Sequence, residues 1–470
     1  MSLRERGRAS GGGNFAEQSD SLKISYSGVR GIVGSSLTPD VARRFGAAFR
    51  LLLSGKKPVV VLTRDTRPSG EWLLLEVLAG VCSQPTELVY LGIVPTPTAQ
   101  VMMHRLKADG GIAITASHNP PEWNGFKFLL GPHAIVADAK QIQRMFELSE
   151  DIRAGQIHPD PVSCPMDRNT QAIETHLGEV LAQIDAKAIR RRGFRVALDT
   201  ACGTGERVAP RLLESLGCEV DMVRVKRDSE PAPQNLAMLA ETVRAKGFDL
   251  GLAQDEDADR LALVSESGKP IGEEYTLAVV VRHLLKRHGQ SRPVVVKNTS
   301  TSQMIDDLAN AAGAELAEVR VGEINLSRAL IEIHNQGRVG FGGEGNGGVI
   351  YPPVCYGRDS HIAMALVLEH LALQRETLSQ VARRLPRYYM LKRKIRYESE
   401  AEAQGLMERT RQVFAEGDIV QPDGLKIRFA DRSWLQVRPS NTEPVIRIIV
   451  EAPKRARADE LMARITALTG

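Results

Sequence analysis

Gly111-Ile112-Ala113-Ile114-Thr115-Ala116-Ser117-His118-Asn119-Pro120-Pro121 is the stretch whose reading decides the fold. Ile112 to Ile114 is a short apolar run and predicts a buried strand. It stops abruptly in small and polar residues, and Asn119-Pro120-Pro121 forbids an immediate helix. Ser117 is therefore predicted on an exposed loop at the carboxyl end of a strand. Open α/β sheets place their chemistry there. The alternative is a serine in an ordinary turn before proline.

Upstream of this loop, Pro58 to Thr63 reads as a strand, Trp72 to Cys82 as a helix, Glu87 to Val94 as a strand and Thr96 to Lys107 as a helix. Such alternation implies parallel βαβ units. The order restarts at Arg195 to Asp199, followed by a helix over Arg207 to Leu216, a strand over Glu219 to Val225 and a helix over Leu236 to Lys246. The strand Asp249 to Ala253 then enters an acidic loop. A third round begins at Pro293 to Lys297, with helix Ser302 to Ala312, strand Glu315 to Val321 and helix Leu326 to Asn335. The strand Val339 to Phe341 ends it in a glycine-rich loop. Element order repeats here, not residues. From about Pro386 the pattern changes to alternating strand-like runs and a closing helix over Ala458 to Leu468, a smaller α+β unit. Linkers fall at 157–165 and near 265–270. The fold class is thus three similar mixed or parallel-sheet α/β domains (21–165, 166–268, 269–385) plus an α+β domain (386–470). The polar, glycine-rich residues 1–20 are predicted to be disordered.

A chain of 470 residues needs several cores. Its 43% hydrophobic and 25% charged residues are ordinary for a water-soluble protein. Sixty-one Lys and Arg against 57 Asp and Glu give a net charge of +4, too mild for a nucleic-acid footprint. No apolar run is long enough for a membrane span, and the start has no signal-peptide character. Five scattered cysteines without a CxxC argue against a disulfide framework or zinc site and for reduced thiols in the cytoplasm.

Each unit carries residues with definite chemistry. Asp255, Asp257 and Asp259 alternate along the chain. In an extended segment they would share one face, and three hard oxygen donors suit Mg²⁺. The alternative is a solvated acidic turn. In Gly343-Glu344-Gly345-Asn346-Gly347-Gly348, a carboxylate and an amide amid glycines suit adjacent sugar hydroxyls; a flexible turn is the alternative. Arg438-Pro439-Ser440-Asn441-Thr442-Glu443-Pro444, with Arg447 beyond, offers a cationic fork, hydroxyls and free backbone N–H groups for a phosphate. A polar hairpin would look similar. Arg30 in Ser27-Gly28-Val29-Arg30-Gly31 sits where backbone can approach a ligand closely, although a plain glycine-rich turn explains it better by itself. Lys127 would serve as an acid/base if its pKa were lowered, His118 reads as an orienting hydrogen-bond partner, and Lys297 is in a position to reach a sugar or its phosphate.

Thr115-Ala116-Ser117-His118-Asn119-Pro120, continued by Trp123-Asn124-Gly125-Phe126-Lys127, resembles the active-site serine motif of the α-D-phosphohexomutases. The acidic loop ending in Asp259-Arg260, the sugar loop and the phosphate loop resemble that family's in order and position, over nearly the whole chain. The resemblance alone implies that the four domains are arranged around a central cleft. It implies too that Ser117 carries a phosphoryl group and joins the three aspartates around Mg²⁺. It also implies that Arg30 lies near the serine and that Arg260 contacts substrate or phosphate. Hexose 6-phosphate and hexose 1-phosphate would interconvert through a hexose 1,6-bisphosphate that also primes the enzyme. The partner would be a small phosphosugar, with no nucleic acid or membrane, and the protein a cytoplasmic monomer or homodimer. Gly343 to Tyr351, followed by Gly357-Arg358-Asp359, looks most like the archaeal-type phosphoglucosamine and phosphomannose mutase branch. One departure is Gly348, where several members have a His; that His's acid/base role cannot be carried over. Two rivals are a phosphatase with a serine nucleophile and a metal, and a non-catalytic sugar-phosphate sensor.

Overall fold

The structure, a computed structural model, describes residues 22–25, 28–225, 227–397, 399–420, 423–440 and 445–469. The predicted disordered segment 1–20 and the candidate phosphate ligands Asn441 and Thr442 lie outside the described residues.

Three units are built on one four-strand order. In the first, Glu87–Ile93, Val59–Arg64 and Gly110–Ile114 run parallel, and Trp123–Leu130 pairs antiparallel with the last of them. Glu219–Met222, Arg195–Asp199, Leu250–Gln254 and Leu261–Ser265 repeat this order, as do Glu315–Val319, Val294–Asn298, Gly340–Glu344 and Gly348–Ile350. The βαβ units expected from the alternation are present, but each ends in an antiparallel fourth strand. The serine loop, the acidic loop and the sugar loop are the same hairpin of the repeat, between its third and fourth strands. One position in the repeat therefore supplies one side of the site three times over.

The first sheet grows further, through Lys23–Ser25 and Gly28–Ile32 beside Trp123–Leu130, and through Met166–Arg168 beside Glu87–Ile93. That last pairing carries the first sheet three residues past the boundary placed at 165. The last unit is an antiparallel sheet of five strands, in the order Tyr389–Arg396, Val445–Ala452, Trp434–Pro439, Leu425–Arg428, Asp418–Val420, backed by Glu400–Val413 and Arg455–Thr466.

Among the described residues five long helices escaped the periodicity reading: Pro39–Leu52, Ala139–Arg153, Glu273–His288, Ser360–Gln374 and Glu400–Val413. Four of them begin with side-chain caps: Thr38 ahead of Pro39, an Asp138/Gln141 capping box, Asp359 and Ser399. Ser360–Gln374 is buried on nearly every side, so it has no polar face to give it a 3.6-residue rhythm. It packs with Glu273–His288 in a single apolar core shared by the second and third units. The fourth unit has its own core and meets the third largely through polar contacts, such as Ser300 to Gln436, Lys426 to Glu318 and Lys392 to Glu274. A polar seam of this kind favours relative domain motion. Among the described residues no helix is long and apolar enough to cross a membrane.

Candidate active site

Ser117 ends the hairpin in a conformation that side chains resist. Its φ is +53°, in the left-handed region, so the surrounding structure must hold it there. Thr115 Oγ1 accepts from Ser117 N at 3.0 Å. Arg67, buried in the first unit, does most of the holding. Its guanidinium donates to the carbonyls of Ser117 (3.0 Å), Asn119 (2.8 Å), Pro120 (2.7 Å) and Trp123 (2.8 Å), and also pairs with Glu256 of the acidic loop. The loop after the strand is exposed as expected from the sequence, at residues 120–122, but not at the serine itself. Ser117 is only 1% exposed, because loops of the second unit close over it, with Ser229 bridging the Ser117 carbonyl and the Glu256 N–H.

Around the hydroxyl the charges are cationic. His118 Nδ1 lies 3.3 Å from Ser117 Oγ, and burial, with Arg260 and Arg30 nearby, holds the imidazole well below its usual pKa and therefore neutral. Arg30 donates to Asn119 Oδ1 at 2.7 Å; burial lowers its pKa to about 10, against the pull of Asp257. Among the described residues the Nε atoms of Arg30 and Arg260 are buried without a hydrogen bond, although Arg260 Nε lies 3.8 Å from both Asp255 Oδ2 and Asp259 Oδ1. Unsatisfied buried donors of this kind call for an anion.

The three aspartates converge, though not by strand alternation. Residues 255–260 form a turn, with Ala258 at φ +56° and Asp255 Oδ1 accepting from the N–H groups of Asp259 and Arg260 at 3.1 Å each. The turn brings oxygens of Asp255, Asp257 and Asp259 within 4.8 Å of one another, all buried. Burial and the other two carboxylates push Asp255 well above the usual carboxylate range. Burial acts the same way on Asp259, but Arg358, Lys127 and Arg260 outweigh it and hold that group low. Among the described residues Asp255 Oδ2, Asp257 Oδ1 and Asp259 Oδ1 have no hydrogen-bond partner. Three orphaned, clustered hard oxygens fit a divalent cation such as Mg²⁺.

Lys127 reverses its expected behaviour. Its Nζ lies 2.5 Å from Asp257 Oδ2 and 3.0 Å from Asp259 Oδ2. Burial alone would lower its pKa, but those two carboxylates raise it overall, so Lys127 stays a cation rather than a base. Lys297 is also reassigned. It is fully buried between Asp306 and Glu318, beneath the seam with the fourth unit, and is spent on that network.

Arg358, quoted above without a role, is the hub of the third unit's contribution. It donates to Asp259 Oδ2 (2.7 Å), Glu344 Oε2 (2.8 Å) and Glu323 Oε2 (3.0 Å). It also explains Gly348. A Cβ there would lie 2.3 Å from Arg358 Cδ, so the arginine occupies the space a histidine would need. Glu344 further accepts from Asn298 (2.8 Å) and Asn346 (3.3 Å). In the fourth unit Arg438 is buried beside Asp423, 3.5 Å away, and stands opposite Arg447 across two strands, with Ser440 N bonded to the Val445 carbonyl.

Gly345 leans on a third-unit carboxylate, Glu274, where a Cβ would meet Oε2. Ser302 N donates to that oxygen at 3.0 Å, and burial pushes the carboxyl up from 4.5 to about 7. Between those values the folded chain holds a proton that the unfolded chain has released. Stability should fall as pH rises through that window and level off above it, by on the order of 1–3 kcal/mol. Glu274→Gln should flatten this part of the profile. Denaturant midpoints from pH 4 to 9 for both proteins check it, and parallel profiles would refute it.

Comparison with known proteins agrees with this architecture. The four domain models described as phosphoglucomutase/phosphomannomutase match in order: alpha/beta/alpha domain I at residues 22–153, domain II at 174–268, domain III at 272–389 and the C-terminal domain at 393–468. A phosphoglucomutase/phosphomannomutase of Thermococcus kodakarensis is 36% identical over 449 residues, covering 93% of this chain and 95% of the relative. A probable phosphoglucosamine mutase of Methanopyrus kandleri is 35% identical over 444 residues, with the same coverage. The crystal structure of a phosphoglucomutase/phosphomannomutase family protein from Burkholderia thailandensis shares the fold, with a TM-score of 0.81, 24% identity and coverage of 95% and 96%. By sequence over almost its whole length, and by the order of its four domains, the chain belongs to the phosphoglucomutase/phosphomannomutase family.

Proposed function

We propose that the protein is a cytoplasmic phosphohexomutase, monomer or homodimer, that interconverts glucosamine 6-phosphate and glucosamine 1-phosphate. Phosphorylated Ser117 is the donor, and the hexose 1,6-bisphosphate is both intermediate and primer. The observation that carries this reading is the surroundings of Ser117: His118, 3.3 Å from its hydroxyl, lies in the field of Arg30 and Arg260, Arg30 is bonded to Asn119 of the same loop, and oxygens of Asp255, Asp257 and Asp259 cluster within 4.8 Å of one another. In the forward half-reaction the sugar's free hydroxyl oxygen attacks phosphorus, the bond to Ser117 Oγ breaks, and the hydroxyl's proton ends on the departing Ser117 Oγ. In the second half the other phosphate passes back to Ser117. Arg30 and Arg260 hold the phosphoryl oxygens, and Lys127 keeps its charge beside them. Asp255, Asp257 and Asp259, with the phosphoryl group on Ser117, would hold Mg²⁺, whose charge offsets that of the transferring group. Glu344 and Asn346 orient the hexose, and Arg438 and Ser440, with Asn441, Thr442 and Arg447, grip the phosphate that is not reacting.

Support for an amino sugar comes from the relatives named phosphoglucosamine mutase. The T. kodakarensis relative favours a second reading, glucose or mannose phosphate. Initial rates on the 1- and 6-phosphates of glucosamine, mannose, glucose and N-acetylglucosamine decide, with and without glucose 1,6-bisphosphate and chelator. The expected result is primer-stimulated, chelator-sensitive turnover with the highest kcat/KM on glucosamine phosphate. Release of inorganic phosphate alone would make the protein a phosphatase, and binding without turnover a sensor.

A further inference from the structure

Behind the acidic turn lies a polar chain that the reaction does not touch. Asp359 caps the helix Ser360–Gln374 through His361 N at 2.8 Å, and the same oxygen, Oδ1, receives His361 Nδ1 at 3.1 Å. Its other oxygen, Oδ2, meets His176 Nε2 at 2.9 Å. His176 belongs to the second unit, on the helix Ala172–Leu181, and its Nδ1 meets Thr98 Oγ1 of the first unit at 2.8 Å. Thr98, His176, Asp359 and His361 are all completely buried. Burial pushes the Asp359 carboxyl up, but His176 and His361 outweigh it and hold the group below the usual carboxylate range. One buried anion is thus pinned by two imidazoles from two units and tied through Thr98 to a third.

Both ends of this bridge terminate on groups of the active site. Two residues before Thr98, on the same helix Thr96–Leu106, Thr96 donates from Oγ1 to Asp257 Oδ2 at 2.8 Å and from its N–H to the Asp257 carbonyl at 3.2 Å. Next to Asp359, Ser360 Oγ donates to the Ala258 carbonyl at 2.6 Å and receives Gln254 Nε2 at 2.6 Å. On the other side of Asp359 is Arg358, which grips Asp259 and Glu344. The acidic turn is therefore held at Asp257 from the first unit, at Ala258 and Asp259 from the third, and the bridge fixes the spacing between those two holds. The set His176, Asp359, His361 also has metal-binding donor types within 4.8 Å, but the nitrogens facing Asp359 are already hydrogen-bonded and the far nitrogen of His176 is on Thr98.

We propose that Thr98, His176, Asp359 and His361 are positioning residues that set the acidic turn and Arg358 against the Ser117 loop. This rests on the mutase reading above. Fully satisfied buried networks specify one arrangement of the elements they join. A shift of the turn relative to Ser117 acts on the transferring group more than on the remote sugar contacts, so the loss belongs in kcat rather than KM.

The test compares wild type with His176→Ala, His176→Gln and Thr98→Val, using steady-state kinetics, thermal melts, and Mn²⁺ binding to the metal-free proteins by electron paramagnetic resonance. His176→Ala should lower kcat by about ten- to a hundredfold and weaken Mn²⁺ binding several-fold, with KM within about threefold of wild type. His176→Gln, whose amide can still donate toward Asp359, should recover most of both. Thr98→Val should fall between wild type and His176→Ala. A folded His176→Ala protein with wild-type kcat and Mn²⁺ affinity, lower only in melting temperature, would overturn the proposal. If that variant does not fold, wild-type kcat and Mn²⁺ affinity in both His176→Gln and Thr98→Val overturn it instead. Absence of mutase turnover in wild type counts against the reaction assignment, while the Mn²⁺ comparison still tests the bridge.

Discussion

Ser117→Ala is expected to abolish mutase turnover, by at least about a thousandfold, because no covalent carrier remains for the phosphoryl group. The fold should survive. Among the described residues the Ser117 hydroxyl has a single hydrogen-bond contact, 3.3 Å to His118, whereas the loop is held by Arg67 through main-chain carbonyls that alanine keeps. Ser117→Gly separates strain from chemistry. At φ +53° a Cβ costs about 1 kcal/mol that glycine does not incur. The glycine variant should therefore be as inactive as the alanine variant and more stable than wild type. Kinetics and denaturant midpoints on all three proteins are the check. Residual turnover above about one per cent in either purified variant would end the covalent assignment, since a spectator serine leaves kcat largely intact. A glycine variant less stable than the alanine one would show that the serine is not strained.

The same loop marks what a sequence can and cannot disclose. Ile112 to Ile114, the breaker Asn119-Pro120-Pro121 and the threefold return of strand and helix are local signals, and each corresponds to an element at nearly the expected place. The charge state of Lys127 is not local. It depends on Asp257 and Asp259, 130 and 132 residues away, and its predicted condition for acting as a base fails once they are in place. Arg67 was missed because it acts on carbonyls, which leave no side-chain signature. It does follow the strand Val59–Arg64, so the rule that led to Ser117 would have reached it. The aspartates converge for a reason other than the one inferred: the one-face argument assumed extended backbone, and a turn with Ala258 at φ +56° gathers them instead. The antiparallel fourth strands went unassigned, since Leu261–Ser265 and Gly348–Ile350 are short and lie directly behind the polar stretches.

Arg358 should show the largest stability effect in the site. Its guanidinium lies among Asp259, Glu344 and Glu323, and these carboxylates raise its pKa well above the usual value against the burial that would lower it. Removing the cation leaves three carboxylates in a buried site without their common partner, a change that costs about 3–5 kcal/mol. Arg358→Ala should lose that much and lose turnover with it, because Glu344 and Asp259 are no longer held. Arg358→Lys should fall between, since a lysine ammonium cannot reproduce a planar fork reaching three acceptors. Gly348 supplies a sharper test. Its Cβ would lie 2.3 Å from Arg358 Cδ and 3.0 Å from Cγ, so Gly348→Ala alone should cost roughly 1–3 kcal/mol by overpacking. With Arg358 already truncated, the clashing methylenes are gone, leaving a 3.1 Å approach to Asn346 Oδ1, and the same substitution should cost much less. Denaturant unfolding of the two single variants and the double variant forms a complete cycle. Additive losses would mean that Arg358 does not fill the space at Gly348, and that the missing histidine needs another explanation.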